Sequence, residues 1–144
     1  MPQLNIAVIC NGDELLKGFT VNTNLISIGR EMTTAALLIN ETVIIPDNPQ
    51  AIIEMIERLF KHGADIIITT GGLGPTIDDL TKQTIAKFLG LPLEMDGGIV
   101  ESLKKYWNTR SLPMPDSVLD QALIPQGAKW FPNEVGTAPG ILVK

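Results

Sequence analysis

Hydrophobic residues in the first half of the chain alternate between strand-like segments and helical spacing. Residues 4–10 form a nearly continuous apolar run, which is typical of a central strand covered on both faces by helices. Residues 37–46 and 64–70 are two further strand-like segments. Their alternation with helical patterns predicts an α/β fold with three layers and a doubly wound, mostly parallel sheet.

Helix signals follow each of these three strands. A first helix is expected over about residues 22–32, with Asn22 as its cap. Asn48 as cap, Pro49 as first helical residue and Gly63 as terminator delimit a second helix. Its predicted buried stripe comprises Ile52, Ile53, Ile56, Leu59 and Phe60. Further helices are expected over residues 78–89 and 99–108, and short strands near residues 129–131 and 140–143.

Composition limits the classes of function. The 144 residues, 44% of them hydrophobic, suit a single domain over residues 1–144. The chain stops after an apolar segment, which leaves open whether it is truncated at its C-terminus. A net charge of −5 argues against nucleic-acid binding. A lone cysteine, no signal peptide pattern and no apolar run long enough to span a bilayer favour a cytoplasmic protein without membrane partners.

A glycine-rich turn follows the third predicted strand. The segment TTGGLGPTIDDLT places Gly71, Gly72 and Gly74 between this strand and the next helix. Backbone N–H groups are free at such a helix start and the helix dipole is positive there, which favours a phosphate group. The turn therefore predicts binding of the phosphate part of a small nucleotide-like or pterin-like ligand.

Two neighbouring acids follow the glycines. In the structural alternative, Thr76 caps the helix and Asp79 completes a capping box three residues later. One acid suffices for that role, so the pair Asp78 and Asp79 leaves a carboxylate for a metal ion. Magnesium is the natural candidate, because it prefers carboxylates together with substrate phosphate oxygens.

The first two strands also deliver acids to the predicted carboxyl edge of the sheet. Glu14 follows the first strand within GDELLKG, and Asp47 follows the second. Taken alone, Asp47 is best explained as a solvated acid near a helix start, and Glu14 as a loop carboxylate. Acids after three successive strands favour a shared site. The P-loop and dinucleotide-binding fingerprints are absent.

Together these motifs resemble the N-terminal domain of the CinA family of competence- and damage-inducible proteins. That domain lies within the fold shared by molybdopterin-binding proteins such as MogA and MoaB. GDELLKG, GGLGPTIDDLT, QALIPQGA and NEVGTAPG carry the resemblance, which spans almost the whole chain. One departure is Asn22 in the segment NTN, where the family often has an acid. The resemblance also implies a homo-oligomer.

In the CinA branch, the resemblance implies a metal-dependent pyrophosphatase that acts on ADP-ribose with magnesium, manganese or cobalt. Motif position assigns the main catalytic acids to Asp47 and Asp79, with Glu14 or Asp78 orienting the attacking water. The implied metal ligands are Asp47, Asp78 and Asp79. Ligand-binding residues implied on the same basis are Asn22, Gly71, Gly72, Gly74, Thr76, Gly136 and Thr137.

Two alternatives to hydrolysis remain open on the sequence. One is a molybdopterin-binding domain, or a molybdopterin adenylyltransferase of cofactor biosynthesis, that uses the same pocket. The other is a non-catalytic domain that senses a ligand.

Overall fold

The computed structural model describes residues 4–144. The chain divides into two compact units, the first ending at Gly72 and the second beginning at Leu73. A single domain over residues 1–144 stays a prediction. No helix within the described range has the length and apolar character needed to cross a membrane.

A three-stranded parallel sheet with strand order β2–β1–β3 forms the centre of the first unit. Its strands are β1 (Ile6–Asn11), β2 (Ile39–Ile45) and β3 (Ile66–Thr70). All residues of β1 are buried, as expected for the middle strand of such a sheet. The predicted α/β class with a mostly parallel sheet is confirmed.

Three helices accompany this sheet: α1 (Asp13–Leu16), α2 (Thr23–Thr34) and α3 (Pro49–Lys61). The Asn48 side chain caps α3 by accepting hydrogen bonds from two backbone N–H groups, and Gly63 follows the helix with φ of 81°. Both end signals were predicted correctly. The α3 residues buried in the core are Ile52, Ile56 and Leu59.

The buried stripe of α3 is narrower than predicted. Phe60 is 52% exposed and Ile53 is only half-buried. At about 100° per residue, both lie some 80° or more around the helix from Ile52, beyond the face that packs on the sheet. Helix α2 begins after Asn22 as predicted, yet it buries no residue completely.

Small antiparallel pairs and helices build the second unit. Its strands are β4 (Leu93–Met95), β5 (Leu123–Pro125), β6 (Lys129–Phe131) and β7 (Gly140–Leu142), paired β4–β5 and β6–β7. Its helices are α4 (Thr81–Phe88), α5 (Gly97–Asn108) and a 3-10 helix (Asp116–Ala122). Its core comprises Ile99, Leu103, Val118, Ala122 and Ile124. The predictions of β6 and β7 are confirmed, whereas β4 and β5 were not predicted.

Helix α4 was predicted to start too early. It begins at Thr81 instead of residue 78, and Leu80 occupies the capping position without a side-chain hydrogen bond. Asp79 directs its carboxylate back to Thr76 and so closes a separate turn before the helix.

Candidate functional site

A cavity of about 100 Å³ lies at the carboxyl ends of β1 and β3 in the first unit. Asn11 and Thr70, the last residues of these strands, line it together with Gly71, Glu14 and the start of α2. In a sheet of order β2–β1–β3, the chain passes from β1 to β2 on one side of β1 and then crosses to β3 on the other side. Ligands of open α/β sheets bind at this switch point, so the cavity has the expected position for a ligand.

Gly71 brings two backbone segments close together at the cavity wall. Its φ is +95°, and a Cβ at this position would lie 2.0 Å from the carbonyl oxygen of Asn11. Gly72 follows with φ of 62°, a conformation that also favours glycine. The chain itself thus requires glycine at position 71, whether or not a ligand contacts it.

Two asparagines at the start of α2 border the cavity. The Oδ1 atom of Asn22 accepts a hydrogen bond of 3.0 Å from the backbone N–H of Leu25, which caps the helix as predicted. The Nδ2 atom of Asn22 is buried and has no hydrogen-bond partner within residues 4–144. Asn24 donates from Nδ2 to the Thr70 hydroxyl at 2.8 Å, which joins α2 to the end of β3.

The two acids predicted for the first unit have different surroundings. Glu14 lies on α1, lines the cavity and places Oε1 2.6 Å from where a Cβ of Gly12 would be. Asp47 is outside the set of cavity-lining residues, and its Oδ2 accepts the backbone N–H of Asp13 at 3.2 Å. Asp47 therefore stabilises the start of α1. The sequence left open such a structural role at a helix start, but for the helix that follows Asp47, which is α3.

In the second unit, Asp79 organises the turn after the glycines. Its Oδ2 accepts hydrogen bonds from the Thr76 backbone N–H at 2.8 Å and the Thr76 hydroxyl at 2.5 Å. A Cβ at Gly74 would lie 2.6 Å from the same oxygen, so a side chain at position 74 would displace the Asp79 carboxylate. Asp78 is exposed. The structure thus contains the predicted pairing of Thr76 and Asp79, displaced from the helix.

The hydrogen bonds around Asp79 keep its carboxylate ionised. Partial burial alone would raise the pKa of Asp79, but the Thr76 hydroxyl and the backbone N–H groups of Thr76 and Gly74 hold this pKa below its ordinary value. A negative charge therefore persists at Asp79 at neutral pH.

We expect Asp79→Asn to lower the free energy of unfolding by about 0.5 to 1.5 kcal/mol at neutral pH, because the amide oxygen still accepts the hydrogen bonds of Thr76 but without the charge that strengthens them. The folded-state pKa of Asp79 lies below its unfolded value of about 3.9, so its contribution is complete above that value. This contribution is lost as the pH falls through the folded-state pKa. Urea denaturation at pH 7 and at progressively lower pH measures the difference between wild type and variant.

Asp78→Asn is the matched control, because Asp78 is the exposed neighbour with the same charge. We expect its free energy of unfolding to stay within about 0.5 kcal/mol of the wild-type value. An Asp79→Asn effect that stays constant down to pH 2, or that Asp78→Asn reproduces, would contradict the role assigned to Asp79.

The predicted ligand residues Gly136 and Thr137 line a smaller cavity of about 20 Å³ within the second unit. Asn133, which the sequence analysis missed, holds this segment together. Its Oδ1 accepts the N–H groups of Val135 and Gly136 at 3.1 Å, and its Nδ2 donates to the Ala138 carbonyl at 3.0 Å. An asparagine before a glycine-containing turn is the sequence signal that could have revealed it.

Two buried polar residues near the glycine turn were also missed. Gln121 is 1% exposed and donates from Nε2 to the Leu73 carbonyl at 3.4 Å. Lys82 donates to the Asp120 carbonyl oxygen; burial lowers the pKa of Lys82, and the charge of Asp120 partly opposes this shift. For Lys82, the signal was a charged residue at helical spacing from Ile85 and Leu89.

A divalent ion such as Mg²⁺ needs several oxygen ligands. One oxygen of Asp47 and one of Asp79 already accept backbone hydrogen bonds. In the described part of the chain, no group of three or more His, Cys, Asp or Glu side chains is arranged to hold a metal ion. The divalent metal stays a prediction from the sequence.

Known proteins match almost the whole chain. The family model described as "Probable molybdopterin binding domain" matches residues 7–144. The crystal structure of the protein CinA, of unknown function, from Thermoplasma acidophilum is 34% identical with a TM-score of 0.81, and the match covers 96% of this chain and 80% of that one. The chain belongs to the CinA branch of the molybdopterin-binding domain family.

Other relatives show how much of its length and fold this CinA-type domain has in common with them. A CinA-like protein of Rippkaea orientalis is 40% identical over 139 residues, which is 96% of this chain and 33% of that protein. The chain thus spans about a third of the length of this and other curated CinA-type relatives. The molybdopterin biosynthesis enzyme MoaB of Thermus thermophilus, at 19% identity and a TM-score of 0.56 over 85% of this chain and 79% of that one, shows a common fold alone.

Proposed function

We propose that this CinA-type domain binds a pterin ligand of the molybdopterin type. The observation that carries the proposal is the cavity at the carboxyl ends of β1 and β3, which Gly71 and the start of α2 border. Membership of a family described as molybdopterin-binding supports this ligand class.

Self-association, implied by the resemblance, belongs to the same proposal. The exposed apolar side chains of Phe19 and Val21 support it, because they are 82% and 69% exposed.

The cavity is the size of one end of such a ligand. Its volume of about 100 Å³ is well below the roughly 300 to 1,000 Å³ of pockets that enclose an entire drug-sized molecule. A bicyclic ring or a comparable end group enters the cavity beside the strand ends, and the rest of the ligand extends outside it. Affinity from this cavity alone is therefore modest.

The test is an anaerobic titration of the purified protein with molybdopterin, followed by pterin fluorescence after ultrafiltration. We expect one ligand per chain, with a dissociation constant on the order of 1 μM, equivalent to about 8 kcal/mol. A protein that retains no pterin would contradict the proposal. Denatured protein provides the control for nonspecific retention.

Hydrolysis of ADP-ribose is the competing function. The ionised carboxylate of Asp79 beside the glycine turn is the observation that favours it. Incubation with ADP-ribose and magnesium, manganese or cobalt decides between the two, because release of AMP would identify a hydrolase. Adenylyl transfer would instead release pyrophosphate from ATP only when molybdopterin is present. Binding without any turnover would leave a ligand-sensing domain.

A further inference from the structure

We infer that the cavity recognises the amino–oxo edge of a pterin ring, with Asn22 as donor and Glu14 as acceptor. This edge carries a ring carbonyl next to ring N–H and amino groups, so it needs both kinds of partner. The inference rests on the proposed function and specifies which end of the ligand enters the cavity. It also differs from the phosphate expected from the sequence.

The orientation of the Asn22 amide supports its role as donor. Because Oδ1 accepts the Leu25 N–H, the hydrogen-bond network assigns the other amide atom as nitrogen. That Nδ2 is buried and has no partner among residues 4–144, and Asn22 lines the cavity. A buried donor without a partner is costly, so a ligand that brings an acceptor oxygen gains from it.

The charge of the cavity favours a neutral ring over a phosphate. Among the residues that line it, Glu14 is the only one with a charged side chain. No lysine or arginine there offsets the charge of an anion, and the Glu14 carboxylate would repel one. A carboxylate accepts hydrogen bonds from ring N–H and amino groups, and these bonds are stronger than those between neutral partners.

The inference is tested with neopterin, which has the pterin ring but no phosphate, and with inorganic pyrophosphate. We expect neopterin to bind and to shift the Asn22 side-chain amide signals in ¹H–¹⁵N spectra, while pyrophosphate does neither. Guanosine, which shares the amino–oxo edge, should bind if the edge alone is recognised; adenosine, which lacks it, should not. Pyrophosphate binding without neopterin binding would overturn the inference.

Variants separate the two partners of the ring. Asn22→Asp keeps an oxygen for the Leu25 N–H and caps a helix equally well, but it replaces the donor by an acceptor. Glu14→Gln removes the anionic acceptor. We expect each to weaken neopterin binding about 10- to 100-fold, as for a lost hydrogen bond to the ligand. Equal affinity of wild type and Asn22→Asp would overturn the inference.

Asn40→Asp is the matched control for charge. The Oδ1 atom of Asn40 accepts the Ile6 N–H at the amino ends of the strands, so Asp makes the same bond away from the cavity. We expect neopterin affinity within twofold of wild type. Molybdopterin binding without sensitivity to Asn22→Asp would reject this inference and keep the proposed function. Guanosine binding that depends on Asn22, without molybdopterin binding, would support recognition of the amino–oxo edge but reject the proposed function.

Discussion

Gly71→Ala is expected to lower the free energy of unfolding by about 3 to 5 kcal/mol and to abolish ligand binding at the cavity. The new Cβ would lie 2.0 Å from the Asn11 carbonyl oxygen, a backbone atom that no side-chain rotation can move away. Alanine at φ of +95° is strained in addition. Relief requires β1 and the turn after β3 to separate, which changes the cavity wall. Urea denaturation followed by circular dichroism measures the loss.

Comparison with Gly63→Ala separates the cost of the contact from the cost of the backbone strain. Gly63 also has a positive φ, of +81°, but a Cβ there meets no atom within 4 Å. We expect a loss of only about 1 to 2 kcal/mol and unchanged pterin binding, because the left-handed strain remains without the collision. Equal losses for the two variants would show that the close approach of Gly71 to Asn11 is unimportant.

Elements with strong local signals could be predicted from the sequence. The apolar run around β1 indicated a buried central strand, and the Asn48-Pro49 start and Gly63 end delimited α3. In these segments, local preference and burial favour the same structure. The motifs also sufficed to identify the family.

Other features depend on contacts that local sequence does not encode. The strands β4 and β5 have three residues each, too few for a periodic pattern, and exist through pairing across a long sequence separation. The start of α4 was misplaced because Asp79 binds Thr76 in a turn of its own. A capping box and such a turn share the same spacing, so the sequence could not distinguish them.

The candidate site was only partly accessible to sequence reasoning. Glu14, Asn22 and Gly71 were expected at one edge of the sheet, and all three line one cavity. The role of the free Asn22 amide was not foreseen, because it depends on which atom the helix start already uses. Gln121 was missed since its partner, Leu73, lies 48 positions away in the sequence.

Gln121→Ala is expected to lower the free energy of unfolding by about 2 to 4 kcal/mol, although Gln121 lies outside both cavities. The side chain is 1% exposed, so truncation leaves a void, and the Leu73 carbonyl loses the Nε2 donor. Both tryptophans, Trp107 and Trp130, belong to the second unit. Their fluorescence during urea denaturation therefore reports on the unit that contains Gln121.

Two further variants assign the cause of this loss. Gln121→Met retains most of the volume and removes the hydrogen bond, together with an Oε1 atom that has no partner within the described chain. We expect Met to cost less than about 1.5 kcal/mol, because volume is conserved and an unpaired acceptor disappears. Gln83→Ala, at an exposed position of α4, should change stability by less than about 0.5 kcal/mol. If Met proved as destabilising as Ala, the hydrogen bond to Leu73, rather than packing, would be the main contribution of Gln121.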